Sequence, residues 1–276
     1  MAGRSNIPFR GARDDATNFG IEIRRARRPS IVITAMFWSF TATRYLATKL
    51  NGLTSYFPPP PKAADDTAPR KILLVHSHPV TDSYSSALAD AVVEGAKEGG
   101  HEIRRRSLYQ EKFRPELTSK ERSTYFDTAE GSARLSSDIK SHLKDLRWAD
   151  SLILVYPTWW FNLPSMLKGY FDRTMVPGHD CAWDFPKSGD TAASNGLVPK
   201  LTNIKRVMGV TTLGAPRKIA VLAIDNGRNT ISTAIRPNFD PDCTCHWHAL
   251  YGMDDQTEAE RAAFVQRVKK AVKEEF

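Results

Sequence analysis

The stretch Tyr156-Pro157-Thr158-Trp159-Trp160-Phe161-Asn162-Leu163-Pro164-Ser165-Met166-Leu167-Lys168-Gly169-Tyr170-Phe171-Asp172-Arg173 decides the fold. It follows the short apolar run Ser151–Val155, which has the character of a strand buried on both faces. Three consecutive aromatics then make a turn, and a helix closes the stretch. Asn162 is the expected N-cap, and Pro164 is tolerated in a first helical turn, where no hydrogen-bond donor is needed. Met166, Leu167, Tyr170, Phe171, Thr174 and Met175 fall on one stripe of that helix. Rings at the carboxyl end of a buried strand either cap a core or cover a ligand, and in open α/β sheets ligands bind at that edge.

Working outward, Lys71–His78 reads as another buried strand. It runs into the hydroxyl-rich loop 79–86 and a helix with Ala87, Leu88, Ala91, Val92 and Ala96 inward, ending at Gly99-Gly100. Small hydroxyl residues at a helix start can cap it and can also present backbone N–H groups to an anion. A second strand is expected over His101–Leu108, a polar excursion over 109–134, and a helix over Leu135–Trp148. Beyond Met175, residues 177–203 form a long irregular excursion of the kind used as a lid or subunit contact, with Trp183 and Phe185 presented on it. A fourth strand over Arg206–Thr212 ends in Thr211-Thr212-Leu213-Gly214. Helix is expected over 218–236, with a break at Asp225-Asn226-Gly227, then strand over Cys245–Tyr251 and helix over Thr257–Glu275. Alternation of five strands with helices predicts an α/β fold, a doubly wound parallel sheet with helices on both faces.

The net charge of +8 suggests a nucleic-acid binder until it is divided along the chain. Residues 1–64 hold ten Lys/Arg against three Asp/Glu, a surplus of seven, so the remaining 212 residues are close to neutral. A nucleic-acid-binding domain needs its positive face on the fold itself, so no nucleic-acid partner is expected. Residues 1–30 lack hydrophobic period and read as disordered. From Ile23 to Ala64 there is no acidic residue, and Ile31–Thr43 is charge-free and mostly apolar. That composition suits an organelle-targeting (mitochondrial) presequence, an interfacial membrane segment over 23–64, or a helix packed on a domain surface. Pro58–Pro61 is a stiff spacer, which places an N-terminal extension at 1–67 and the folded domain at 68–276. Three cysteines, Cys181, Cys243 and Cys245, make no disulfide framework and suit a reducing, cytoplasmic setting.

With its pieces in this order, residues 70–272 resemble the flavodoxin-like NAD(P)H:quinone oxidoreductases. The resemblance rests on His78-Pro79 with Ser83-Tyr84-Ser85-Ser86-Ala87-Leu88, Leu108-Tyr109 with Phe113 and Pro115, and Asp138-Ile139 leading to Trp148-Ala149-Asp150. Its most specific part is Tyr156-Pro157 through Phe171-Asp172-Arg173, completed by Thr211-Thr212-Leu213-Gly214. The resemblance implies a flavodoxin-like fold and hydride transfer from NAD(P)H through bound FAD or FMN to a quinone or similar acceptor. It further implies that His78, Ser83, Tyr84 and Ser85 hold the flavin phosphate. Pro157, Thr158, Trp159, Trp160 and Phe161 would line the ring, and Thr211, Thr212, Leu213 and Gly214 would approach its polar edge. Trp183 and Phe185 would form the lid over the acceptor, and the family's habit implies a homodimer. One feature departs: the family's tyrosine and histidine after the Thr-Thr segment fall on Ile219 and Asp225 here. The alternative is a flavodoxin-fold regulatory subunit of the ion-efflux type, in which binding matters more than turnover.

Cys243-Thr244-Cys245-His246-Trp247-His248 carries metal-ligand residue types. A strand sends alternate side chains to opposite faces, so no metal site is expected there. His76 and His142 read as ordinary strand and helix-surface histidines, and Cys181 as an inert, partly buried thiol.

Overall fold

The computed structural model describes residues 68–192 and 196–276, so the expectations for residues 1–67 lie outside the described residues. In chain order the principal elements are β1 (Lys71–His76), α1 (Tyr84–Glu98), β2 (Glu102–Ser107), α2 (Ser137–Trp148), β3 (Ser151–Pro157), α3 (Ser165–Thr174), β4 (Arg206–Leu213), α4 (Arg217–Leu222), β5 (Thr244–Tyr251) and α5 (Glu258–Glu275). The five strands are all parallel, in the order β2-β1-β3-β4-β5. This is the order of a doubly wound sheet whose direction of winding reverses between β1 and β3. Among the described residues, no helix is long and apolar enough to cross a membrane.

Alternation along the strands sorts two cores. Ile72 and Leu74 of β1, with Ile153 and Val155 of β3, pack against Leu88 and Val92 of α1 and Phe264 and Val268 of α5. Leu73, Val75, Leu152, Leu154 and Tyr156 face the other way, onto Ile139, Leu143 and Leu146 of α2 and Leu167, Tyr170 and Phe171 of α3. All seven residues of β3 are buried, as its central place demands. Each fully buried Leu or Ile stabilises by about 2 kcal/mol relative to exposure, so these two layers are the main support of the sheet.

Local signals fix the helix starts unevenly. The Ser83 side chain accepts from the Ser86 N–H and caps α1, and Thr257 with Glu260 forms a reciprocal capping box for α5. Asn162 does not cap α3. Its side chain accepts the N–H of its neighbour Leu163 at 2.8 Å, and the cap position falls to Pro164, whose extended backbone feeds the helix directly. The excursion 177–203 contains a two-residue hairpin, Trp183–Asp184 against Val198–Pro199. His142 is buried rather than on the helix surface, because the rings of Phe113 and Tyr170 meet it edge-on at 5.1 and 5.4 Å.

The polar excursion after β2 is clamped by one buried cation. Arg173 on α3, 5% exposed, pairs with Glu121 at 2.5 Å and Asp138 at 3.0 Å and donates to the Arg114 carbonyl at 2.7 Å. Burial alone raises the Glu121 carboxyl, but hydrogen bonds from Arg173 and from Thr118 bring it below the ordinary range. Its contribution to stability is therefore full above the ordinary Glu pKa and is lost as pH falls through the depressed value. Removing one partner of a buried pair leaves the others uncompensated. Arg173→Met should therefore lower the unfolding free energy by about 3 kcal/mol in urea titration, and a loss below about 1 kcal/mol would show that the clamp is dispensable.

Candidate functional site

The carboxyl ends of β1, β3 and β4 form one edge, and the residues singled out in the sequence are distributed along it. At the end of β1, His76 and Ser77 are fully buried. His76 Nε2 lies 3.4 Å from the Ser85 hydroxyl, while His76 Nδ1 and Ser77 Oγ have no hydrogen-bond partner. Burial, with Arg105 adding, pushes His76 down to about 4, so the ring is neutral over the physiological range. Two orphaned buried polar atoms beside a helix start call for a polar ligand or water. The helix supplies the complement. The first ladder bond of α1 is Ala87 N–H to the Ser83 carbonyl, and Ser86 N–H goes to the Ser83 side chain, which leaves the Tyr84 and Ser85 N–H groups outside the ladder.

Two of the predicted phosphate residues are otherwise engaged. The Ser83 hydroxyl serves as the helix cap, and the Tyr84 hydroxyl donates to the Arg261 carbonyl on α5 at 2.8 Å. Ser85 is the hydroxyl that remains beside His76. His78 accepts the Val80 N–H at 3.1 Å, and its ring sits 6.2 Å from that of Trp159, joining the β1 loop to the aromatic turn.

That turn is tight and strained. Trp159 N–H donates to the Asn162 carbonyl at 3.2 Å and Asn162 N–H returns to Trp159 at 3.0 Å. Between them Trp160 and Phe161 both adopt left-handed backbone, φ 50° and 56°. This is the geometry of a type I′ turn, which favours Asn and Gly and disfavours bulky residues. Trp160 is 96% exposed and Phe161 half-buried, so burial of the Trp160 ring does not offset the strain there. Strained backbone carrying exposed rings marks a functional surface. The turn is anchored from below: Thr158 N–H donates to the Thr212 carbonyl, and the Thr158 and Thr211 hydroxyls are hydrogen-bonded, both at 2.8 Å. Pro157, Thr211, Thr212 and Leu213 are buried, so Leu213 offers the edge its backbone rather than its side chain. A Cβ on Gly214 would come within 2.5 Å of the carboxylate of the exposed Asp254 side chain.

Of the two residues expected on the lid, Trp183 does not present its ring at the surface. It is buried, its indole N–H donating to the Met175 carbonyl at 2.9 Å, and only Phe185 beside it is exposed. Ile219 is partly exposed on α4. Asp225 is half-buried and accepts a hydrogen bond from the Tyr251 hydroxyl at 3.2 Å. Tyr251, the buried Tyr156 and His76 were not legible as site residues, because nothing in their local sequence distinguishes them from core. Burial pushes the Cys181 and Cys243 thiols up to about 11 and about 12, which makes both poor nucleophiles. Among the described residues, no group of three His, Cys, Asp or Glu side chains is arranged to hold a metal.

Comparison with known proteins adds kinship. A family model described as the flavodoxin-like fold matches residues 70–238. A ribosyldihydronicotinamide dehydrogenase-like protein of Penicillium crustosum is 32% identical over 158 residues, 52% of this chain and 57% of that one. NAD(P)H dehydrogenase [quinone] 1 of Rattus norvegicus is 29% identical over 176 residues, 59% of this chain and 61% of that one. The chain thus spans little more than half the length of these curated relatives. A solved NAD(P)H:quinone oxidoreductase from Methanothermobacter marburgensis shares the fold with a TM-score of 0.60 at 22% identity, covering 75% of this chain and 96% of its own.

Because Trp160 gains nothing from burial, Trp160→Asn should relieve turn strain and raise stability by about 0.5–1 kcal/mol. An unchanged or lower urea midpoint would mean that the left-handed turn is not strained.

Proposed function

The chain belongs to the flavodoxin-like fold family, and on that premise we propose that it is a flavin-dependent NAD(P)H oxidoreductase acting on a quinone or similar small acceptor. The observation that carries the reading is the meeting, along one sheet edge, of an anion-ready helix start and a strained turn of exposed rings, with His78 against Trp159 between them. The names of the fungal and rat relatives support the donor and acceptor classes.

The residues fit a flavin nucleotide. The start of α1, the Ser85 hydroxyl and the orphaned atoms of His76 and Ser77 suit a phosphate, and the neutral His76 can donate without adding charge. Thr158, Trp159, Trp160 and Phe161 suit the flat, partly apolar ring, held in place by the Thr158 bonds to β4. Either FMN or FAD satisfies these contacts. A bound flavin supplies a two-electron carrier that accepts hydride from a nicotinamide and passes it to a second acceptor. The chain's own part is to bind and orient, to exclude water with the rings of the turn, and to supply protons at the edge. Phe126 and Phe185, both exposed with ring centroids 6.0 Å apart, support a homodimer in which a second copy covers this aromatic face.

Purified protein should be yellow, release FMN or FAD on denaturation, and oxidise NADH or NADPH when a soluble quinone is supplied. Trp159→Ala should keep its circular dichroism spectrum and lose flavin affinity by about tenfold or more. A folded, colourless protein that binds neither flavin would overturn this reading.

A further inference from the structure

We propose that Asp225 and Tyr251 are the proton-holding pair of this site, Tyr251 delivering a proton to the reduced acceptor and Asp225 resupplying Tyr251. The proposal rests on the oxidoreductase reading and goes beyond it by assigning the second proton of the reaction.

Three observations carry it. Tyr251 is the last residue of β5 and is registered against Leu213, the last residue of β4, so it stands at the same carboxyl edge as the Thr211–Gly214 segment. Its hydroxyl donates to Asp225 Oδ2 at 3.2 Å. Second, the crossover between β4 and β5 is bent to bring this carboxyl in. Ile224 and Asp225 are successive left-handed residues, φ 72° and 45°, and a β-branched residue in that region is a genuine outlier. The kink is locked by Asp225 N–H on the Ala220 carbonyl at 2.9 Å and by Asn229 N–H on the Asp225 carbonyl at 3.0 Å. Strain retained in a well-bonded kink is more readily understood if the side chain it aims has work to do.

Third, the segment after the kink lies directly against the aromatic turn. A Cβ added to Gly227 would sit 3.2 Å from the Tyr156 hydroxyl and 3.4 Å from Leu163 Cδ2, residues that bracket the turn. The Tyr156 hydroxyl is fully buried and has no hydrogen-bond partner. A carboxyl, a phenol bonded to it and an unpartnered second phenol therefore share one neighbourhood behind Trp159–Phe161.

The electrostatics agree with a carboxyl able to carry a proton. Burial raises Asp225 above the ordinary carboxylate range, although the Tyr251 hydrogen bond and the cations Arg228 and Arg217 pull the other way. Burial and the neighbouring Asp225 raise the Tyr251 hydroxyl in turn. Trp247 from β5 also meets the Tyr251 hydroxyl and lowers it, Tyr156 from β3 faces both members of the pair, and Cys245 from β5 faces Tyr156. With Asp225 ionised, the Tyr251 proton points at the carboxylate. With Asp225 protonated, the order reverses and the Tyr251 O–H is free to turn outward.

A quinone that receives hydride gains two electrons and one proton and is left one proton short of the hydroquinone. The Tyr251 O–H bond breaks as an O–H bond forms on the acceptor oxygen. The Asp225 O–H bond breaks as the Tyr251 O–H re-forms, and the resulting carboxylate is reprotonated from water.

The test compares wild type with Asp225→Asn, Asp225→Glu and Tyr251→Phe, each loaded with flavin and reduced beforehand with NADH, then mixed with quinone across a pH series. Wild type should re-oxidise more slowly as pH rises through the Asp225 pKa. Asp225→Asn and Tyr251→Phe should be slower by about tenfold or more and lose that pH limb, and Asp225→Glu should restore it in part. Flavin retention should be unaltered. Independently of turnover, ultraviolet titration should show Tyr251 forming tyrosinate at lower pH in Asp225→Asn than in wild type. Wild-type rates and pH dependence in Asp225→Asn would overturn the proposal, as would a rate loss that merely tracks loss of flavin. An unshifted tyrosinate titration defeats the pair itself, whereas a wild-type chain that retains no flavin defeats the oxidoreductase reading.

Discussion

The complete burial of β3 is the constraint on which the rest of the structure depends. Lying between β1 and β4, with helices over both faces, Ser151–Pro157 has no polar face to turn to solvent. The chain must leave this strand abruptly at the sheet edge and return a helix, α3, to the face already occupied by α2. It does so through a four-residue turn whose centre is held in left-handed backbone, with the Thr158 bonds to β4 fixing the turn to the sheet. Because winding reverses between β1 and β3, the loops after these two strands diverge and leave a crevice. The His78–Trp159 contact spans it.

Charge at this edge is managed locally rather than by a global field. The folded part of the chain is nearly neutral, so ligand affinity has to come from placed groups: helix N–H groups, a neutral buried imidazole, hydroxyls and rings. The strong ion pairs lie elsewhere. Arg173, Glu121 and Asp138 tie the polar excursion and α2 to α3, and Arg106 with Asp145 ties α2 to β2.

Much of the fold was legible because its signals are local and periodic. The buried runs of β1 and β3, the Ser83 and Thr257 caps and the stripes of α1 and α5 are each written within a few residues. What was misread depends on partners distant in sequence. Trp183 is buried because the Met175 carbonyl waits for its indole, and His142 because Phe113 and Tyr170 close over it. Asn162 has the chemistry of a cap, but the tight turn directs its side chain to Leu163 instead. The site divides in the same way. The aromatic turn and the Thr211–Thr212 strand end were visible as motifs, while the Ser83 and Tyr84 hydroxyls proved to be engaged in capping and in docking α5. The Asp225–Tyr251 pair joins residues 26 apart across a crossover and leaves no pattern in the sequence.

The central claim is that the edge formed by β1, β3 and β4 is a flavin site. The most direct measurement is a crystal structure of the protein grown with FMN or FAD. The expected result is a phosphate at the start of α1 beside Ser85 and His76, with the flavin ring lying against Thr158–Phe161. A flavin bound elsewhere on the chain, or crystals with this edge occupied only by water at saturating flavin, would contradict it.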